Sequence, residues 1–337
     1  MTRASGLPVL EVRDLRVHFE LDSETTEAVR DVSFDLFVGE TLAIVGESGS
    51  GKSVTAQALM ALVDCPPGRV IAGDVKLEGR SLLAHGGKLA REVRGRKIGM
   101  VFQDALAALD PGVRIGSQIS ELFRCHLGLN RRAANHRTCE LMERVGIPDP
   151  RQLMSDYPHQ FSGGMRQRIA IAIAIALEPI VVIADEPTTA LDVTVQAQIM
   201  ELLAEIGEST GAGVILITHD LAVVSTYASR LAVMYAGHIV ESGPTQTVLS
   251  NPAHPYTRGL IDSIPSTLSG MGELKSIPGQ PPDLARLPPG CAFEPRCWLG
   301  NGRTLCSSKL PEMLVVGQGR QTACHYASEC MSASVVT

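Results

Sequence analysis

The stretch Gly46-Glu-Ser-Gly-Ser-Gly-Lys-Ser53 decides the fold. The apolar run just before it, residues 41–45, reads as a strand. The small and apolar residues after it, from 52 to about 62, recur at helical spacing. A strand, a glycine-rich turn and a helix in that order gather backbone N–H groups and the positive end of a helix around one point, which suits phosphate. In such a cradle Gly46, Glu47, Ser48, Gly49, Ser50 and Gly51 form the loop. Lys52 reaches the β- and γ-phosphates, the Ser53 hydroxyl ligates Mg²⁺, and Val54 ends the nucleotide-binding run. A chance match in a glycine-rich chain is the alternative, and the placement between strand and helix speaks against it.

Outward from the loop, Val181-Val-Ile-Ala-Asp-Glu186 is an apolar strand that ends in two carboxylates. A solvated acidic pair is the bland reading. Four apolar residues leading into the pair instead deliver both groups to the C-terminal edge of a sheet, where open α/β sheets bind ligands. There Asp185 holds the metal and Glu186 positions or activates water. Short strands are expected at 10–12, 16–19, 32–36 and 41–45, and further strand and turn over 70–103. From about 105 to 177 the pattern is helical. Ile169, Ile171, Ile173 and Ile175 alternate with alanine, a strand period, yet the alanines favour a helix buried all round. Strand and helix then alternate: strands at 181–184, 214–218 and 231–235, helices at 193–209 and 221–227. This is the rhythm of a largely parallel, doubly wound α/β sheet.

Composition sets the frame. The chain has 337 residues, 45% of them apolar and 4% aromatic, enough for one large or two ordinary cores. The net charge of −6, with no basic run, gives no reason to expect a nucleic-acid partner. The N-terminus lacks the apolar core of a signal peptide, and Glu178-Pro179 interrupts the longest apolar stretch, 169–184, well short of a membrane span. A cytosolic location is expected. Beyond Pro252 the composition shifts, with residues 263–300 rich in Pro, Gly and Ser, and a small appended module is expected there rather than a continuation of the sheet. Five of eight cysteines fall in this last part, and clustered thiols in a reducing compartment suggest a metal more than disulfides.

Phe161-Ser-Gly-Gly-Met165, about twenty residues before the Asp-Glu strand, resembles the signature of ABC ATPases, with Phe161 and Met165 at its variable ends and the Ser-Gly-Gly centre intact. Other positions are similar to the same family: Gln103, which in the family links nucleotide and magnesium to the transmembrane subunits; Ala190-Leu-Asp192, the loop at the dimer interface; His219 in Ile217-Thr-His-Asp220, the histidine that touches the γ-phosphate; and Phe19, the aromatic that stacks on adenine. The resemblance covers about 8–260. It implies an ABC-type ATPase: a RecA-like phosphate-loop core, an N-terminal antiparallel β subdomain, and a helical subdomain at about 105–177.

The tail narrows the resemblance. Asn251-Pro-Ala-His-Pro-Tyr-Thr257, Ile277-Pro-Gly-Gln-Pro-Pro-Asp283 and Pro289-Gly-Cys-Ala-Phe-Glu-Pro-Arg-Cys297 look like the C-terminal extension of dipeptide and oligopeptide importers, parts of which nickel importers share. The extension spans 261–337. Within it Cys291, Cys297, Cys306 and Cys324 occupy positions that hold a [4Fe-4S] cluster in some relatives, and four thiolates also suit tetrahedral zinc. Four unliganded thiols are the alternative, and Cys330 is a competing ligand. Cys65, Cys125 and Cys139 are scattered and expected to be packing residues.

The resemblance implies ATP sandwiched between the phosphate loop of one chain and the signature of another. Ser162, Gly163, Gly164 and Met165 would then serve the site of a second, related ATPase. Lys52, Glu186 and His219 would serve the chain's own, with Ser53, Gln103 and Asp185 around Mg²⁺. The implied partners are two transmembrane permeases and, indirectly, an extracytoplasmic substrate-binding protein, with this chain peripheral on the cytoplasmic face of the membrane. Within transport, nickel or another small solute is the alternative cargo; a soluble ABC ATPase of DNA repair or translation is the alternative from another class, although no coiled coil, zinc insertion or second cassette is visible.

Overall fold

The computed structural model describes residues 6–21, 24–189, 191–264, 276–317 and 319–333. The chain begins with β1 (Leu10–Leu21), β2 (Glu24–Leu36), β3 (Thr41–Val45), α1 (Lys52–Leu59), β4 (Gly68–Leu77), β5 (Arg80–Ser81), α2 (Ala84–Val93) and β6 (Ile98–Val101). Four helices follow, α3 (Ile115–Leu127), α4 (Arg131–Arg144), α5 (Pro150–Leu153) and α6 (Gly163–Ile175). Alternation then resumes with β7 (Val181–Asp185), α7 (Val193–Thr210), β8 (Gly213–Ile217), α8 (Leu221–Tyr227), β9 (Arg230–Tyr235) and β10 (His238–Pro244). The last elements are α9 (Thr245–Ser250), α10 (Pro255–Asp262), α11 (Thr304–Ser308), β11 (Leu314–Gly317), β12 (Arg320–Thr322) and α12 (Ala327–Ser332). The chain divides into two compact units, one of Met1–Leu10, Leu36–Thr41 and Leu82–Ile217, the other of Glu11–Asp35, Leu42–Ser81 and Thr218–Thr337.

In the first unit β6, β7 and β8 are parallel, with Ile98 opposite Val181 and Asp185 opposite Ile217. Every residue of the three strands is buried. Near-continuous apolar runs are what parallel strands covered on both faces require. Helices α3 to α6 fill the connection from β6 to β7. The alternating Ile-Ala run is helical, in α6, and buries Ile169, Ala170, Ile171, Ala172, Ala174 and Ile175. Helix α2 lies where strand and turn were expected. Leu89, Ala90 and Val93 give it a short apolar stripe inside a polar segment, a signal that the nearby glycines 86 and 87 obscure.

In the second unit one antiparallel sheet has the order β2-β1-β4-β5. The strands expected at 10–12 and 16–19 are one continuous strand, because the polar break contains Asp14 with φ 48°, a left-handed kink that interrupts the pattern without ending the strand. In the other sheet β3 runs parallel to β9, and β9 runs antiparallel to β10.

The tail corrects an expectation. It is not simply appended: β12 pairs antiparallel with β10, Glu241 opposite Thr322 and Ser242 opposite Gln321, and β11 pairs with β12, so the extension does continue the sheet. The edge of β10 would otherwise be an unpaired row of N–H and C=O groups. A buried charge reinforces the join. Glu241 is fully buried, accepts the Ala253 and His254 amides at 2.8 and 2.9 Å, and has the Arg320 guanidinium 4.0 Å away. Tyr235, Tyr256 and Phe293 pack with Val45, Val233 and Cys297 into one core that joins cassette strand and tail.

Candidate functional site

The phosphate loop leaves β3 and enters α1 through Gly51, whose φ of 101° is left-handed and whose place against the Ala28 carbonyl leaves no room for a Cβ (2.4 Å). Lys52 opens the helix and is buried, its Nζ donating to the carbonyls of Gly46 (2.8 Å) and Glu47 (3.0 Å). The lysine is thus held inside the loop, and an anion is a stronger acceptor than the two carbonyls it meets there. Ser50 is buried too, and among the described residues its Oγ has no hydrogen-bond partner. A buried hydroxyl without a partner is costly, so a ligand oxygen in the loop would relieve it. Ser48 and Gly49 are exposed at the loop's tip, and Ser53 and Val54 are half-buried in the first turn of α1.

Glu47 is the most constrained residue of the loop. Its N–H donates to Tyr256 Oη at 2.8 Å, and its carboxylate accepts from both terminal guanidinium nitrogens of Arg296, at 2.7 and 3.0 Å. His219 is exposed, between the end of β8 and the start of α8, and with Gly46 and Glu47 lines one cleft. Asp220 fixes this corner by capping α8, its Oδ1 accepting the Ala222 and Val223 amides. Phe19 is half-buried on β1, with its ring edge against Gly68.

In the other unit, Asp185 is buried at the end of β7 and Glu186 follows it with φ 45°. A left-handed glutamate is an uncommon, strained conformation of the kind that gathers at functional positions. Glu186 N–H is held by the Ile217 carbonyl (2.9 Å), and its Oε2 accepts from Thr189 Oγ1 (2.9 Å) and Gln103 Nε2 (3.2 Å). Gln103 and Glu186, far apart in sequence, are therefore brought together, and Thr189 is a partner that the sequence did not single out. Ser162 is exposed and caps α6, accepting the Met165 amide at 3.3 Å. Gly163 is exposed at the helix start, and Gly164 faces Val195 of α7. Asp192 is exposed and caps α7 through the Val195 amide at 3.0 Å, while Ala190 lies outside the described residues.

Cys291, Cys297, Cys306 and Cys324 line a single cavity in the tail. Close approach is possible because of Gly300: a Cβ there would lie 2.9 Å from Cys306 Sγ and 3.3 Å from Cys297 Sγ. The Gly300 amide donates to Cys297 Sγ at 3.1 Å. Amides of Phe293 and Glu294 face Cys291, and that of Tyr326 faces Cys324. Burial pushes Cys291 up to about 11 and Cys324 up to about 12, and raises Cys297 and Cys306 as well. Cys330 is buried outside this lining, its thiol 3.6 Å from the Pro252 carbonyl. Cys65 and Cys125 are exposed rather than packed, whereas Cys139 is half-buried beside Met154. Among the described residues no three His, Cys, Asp or Glu side chains are gathered closely enough to hold a single metal ion. Among them, too, no helix is long and apolar enough to cross a membrane.

Known proteins match both halves of this description. Residues 29–189 match the family described as ABC transporter, and residues 240–303 match the oligopeptide/dipeptide transporter C-terminal region. The chain is 50% identical over 286 residues to the oligopeptide transport ATP-binding protein OppD of Bacillus subtilis, covering 85% of this chain and 80% of that protein. It is 51% identical over 289 residues to the dipeptide transport ATP-binding protein DppD of Lactococcus lactis, with 86% and 82% covered. Among solved structures, the dimeric structure of MJ0796, a bacterial ABC transporter cassette, is similar at a TM-score of 0.63 and 26% identity, over 70% of this chain and 98% of that one. With half its residues shared with such relatives across most of its length, and with the phosphate loop, signature and Asp-Glu strand in place, the chain belongs to the ABC transporter family of ATP-binding proteins.

Proposed function

We propose that this chain is the ATP-hydrolysing subunit of an importer of dipeptides or oligopeptides. The observation that carries the reading is the C-terminal region of oligopeptide/dipeptide transporter type, built into the same unit as a phosphate loop with an inward-held lysine. The relatives named above are peptide-transport proteins, which favours peptide over nickel, DNA repair or translation.

In this reading Lys52 leaves the Gly46 and Glu47 carbonyls for the β- and γ-phosphates, and Ser50 gains an oxygen partner. Ser53, Gln103 and Asp185 would hold Mg²⁺, which supplies charge neutralisation between the phosphates. Glu186 orients and deprotonates the attacking water, with Gln103 and Thr189 fixing its carboxylate, and His219 contacts the γ-phosphate. The signature, Ser162 to Met165, offers the amino end of α6 to nucleotide held by a second ATPase subunit, and Asp192 lies at that interface. Two permeases and an extracytoplasmic substrate-binding protein complete the importer, with this subunit on the cytoplasmic face. Purification of the tagged chain from native membranes tests the reading. Two permeases, a second ATPase and a peptide-binding protein should come with it; ribosomal or DNA-repair partners would overturn it.

The same reading gives the four tail cysteines a [4Fe-4S] cluster. The support is chemical: four soft donors line one cavity, and backbone amides face three of the sulfurs. Cys291, Cys297, Cys306 and Cys324 would hold it, and the amides would stabilise their thiolate form. Iron and sulfide content with visible absorbance of anaerobically purified protein decides this. Absence of both, with zinc or no metal found, would remove the cluster.

A further inference from the structure

Arg296 stands apart from the machinery just described. It belongs to the tail, one residue before Cys297, yet its side chain is only 7% exposed and reaches the second residue of the phosphate loop. Both terminal guanidinium nitrogens meet the Glu47 carboxylate, while Nε donates to the Pro278 carbonyl at 2.9 Å. The guanidinium also lies 5.9 Å from the centre of the Tyr235 ring. This is a forked, charge-assisted pair in a shielded setting, the strong kind of ion pair.

The consequence for nucleotide follows from what the loop is made for. Its amides and Lys52 are arranged to receive an anion. Glu47 carries an anion of its own on that same loop. Held by Arg296, the carboxylate points into the tail. Released, it becomes a tethered competitor for the loop amides and for Lys52, whose ammonium already contacts the Glu47 carbonyl at 3.0 Å. We infer that Arg296 is a positioning residue for ATP binding, which keeps the Glu47 carboxylate out of the phosphate site and thereby makes nucleotide affinity depend on the folded tail. This rests on reading the loop as an ATP site.

The test measures binding of a fluorescent ATP analogue with Mg²⁺ to the full chain. Arg296→Met keeps most of the buried stem and removes the fork; it should weaken binding about tenfold. Adding Glu47→Gln should recover most of that loss, because the competing charge is gone, an outcome that loss of packing alone would not produce. Arg296→Lys keeps the charge without the fork and should fall between the two. Binding by Arg296→Met at wild-type strength, or a double variant as weak as Arg296→Met, would overturn the inference. Should Arg296→Met fail to fold, Arg296→Lys alone and with Glu47→Gln decides: a loss of about threefold or more relieved by the second change supports it, and wild-type binding overturns it. Lys52→Ala separates the two readings. If the wild type binds, Lys52→Ala does not, and Arg296→Met is unaffected, only the role of Arg296 fails. If the wild type does not bind, the ATP site itself fails, and Arg296 with it.

Discussion

Phe293→Ala tests whether the tail is part of the core. Phe293 is 2% exposed and meets Tyr235 edge-on at 5.2 Å, Tyr256 at 5.4 Å and His254 at 5.9 Å between ring centres. Removing a ring enclosed by three others leaves a cavity that aromatic neighbours on strand and helix cannot close, so the loss should be about 3–5 kcal/mol. Tyr256→Phe is the matched control. It keeps the packing and deletes only the hydroxyl that accepts the Glu47 amide, for about 1 kcal/mol. Urea unfolding followed by far-ultraviolet circular dichroism gives both values. The chain's one tryptophan, Trp298, adds a fluorescence probe inside the tail. The two probes should report one transition, as expected of a shared core. A Phe293→Ala loss below about 1 kcal/mol, or a Trp298 transition well separated from the circular dichroism, would refute the reasoning.

Three other perturbations reach different parts of the molecule. Glu186→Gln should bind ATP yet lose hydrolysis by roughly a hundredfold or more and accumulate as an ATP-bound dimer, read by single-turnover kinetics and gel filtration; turnover near wild type would remove the assigned role. Ser162→Ala should cost only about 1 kcal/mol of stability, through the lost cap of α6, but should lower the ATPase rate of the assembled transporter about tenfold or more; equal, small effects on both would leave Ser162 as a cap and nothing else. His238 should make stability pH-dependent. Burial, aided by Arg30 and opposed by Asp31 and Glu27, lowers its folded value from 6.5 to about 4. The unfolded chain therefore takes up a proton first, so this contribution is complete above pH 6.5 and is lost as the pH falls from there towards 4, by about 3 kcal/mol at most. His238→Gln should flatten that part of the urea-midpoint profile, and an unchanged slope would contradict it.

Much of the site was legible because its chemistry is local. Gly46 to Ser53 carries strand, turn and helix within one short run, and the Asp185-Glu186 pair is announced by the apolar residues before it. The alternating Ile-Ala run was read correctly as a helix because alanine loses no side-chain entropy there and its methyl offers little to pack on a pleated sheet, which outweighed the period. Three features were not legible. Helix α2 has too short an apolar stripe to stand out beside two glycines. The Asp14 kink hides inside β1, since nothing local separates a left-handed aspartate in a strand from one in a turn. The sheet-forming role of residues 320–322 depends on the free edge of β10, nearly eighty residues earlier in the chain. Thr189 beside Glu186 and Arg296 against Glu47 are contacts of the folded chain, and a polar residue in a turn or a basic residue among prolines carries no mark of its distant partner.

The ion pair between Glu47 and Arg296 spans 249 positions of the chain. A ribosome adding roughly 5–20 residues per second would finish the phosphate loop some 12–50 s before it makes the arginine that restrains it. For that interval the emerging loop holds its own carboxylate unrestrained, and Tyr256, 209 positions downstream of Glu47, is also still missing for most of the time. A half-made subunit would therefore be a poor nucleotide binder. Competence would arrive only with the last eighth of the polypeptide, so that chains cut short by stalled synthesis or a premature stop would be kept out of the ATP-driven assembly they could only poison.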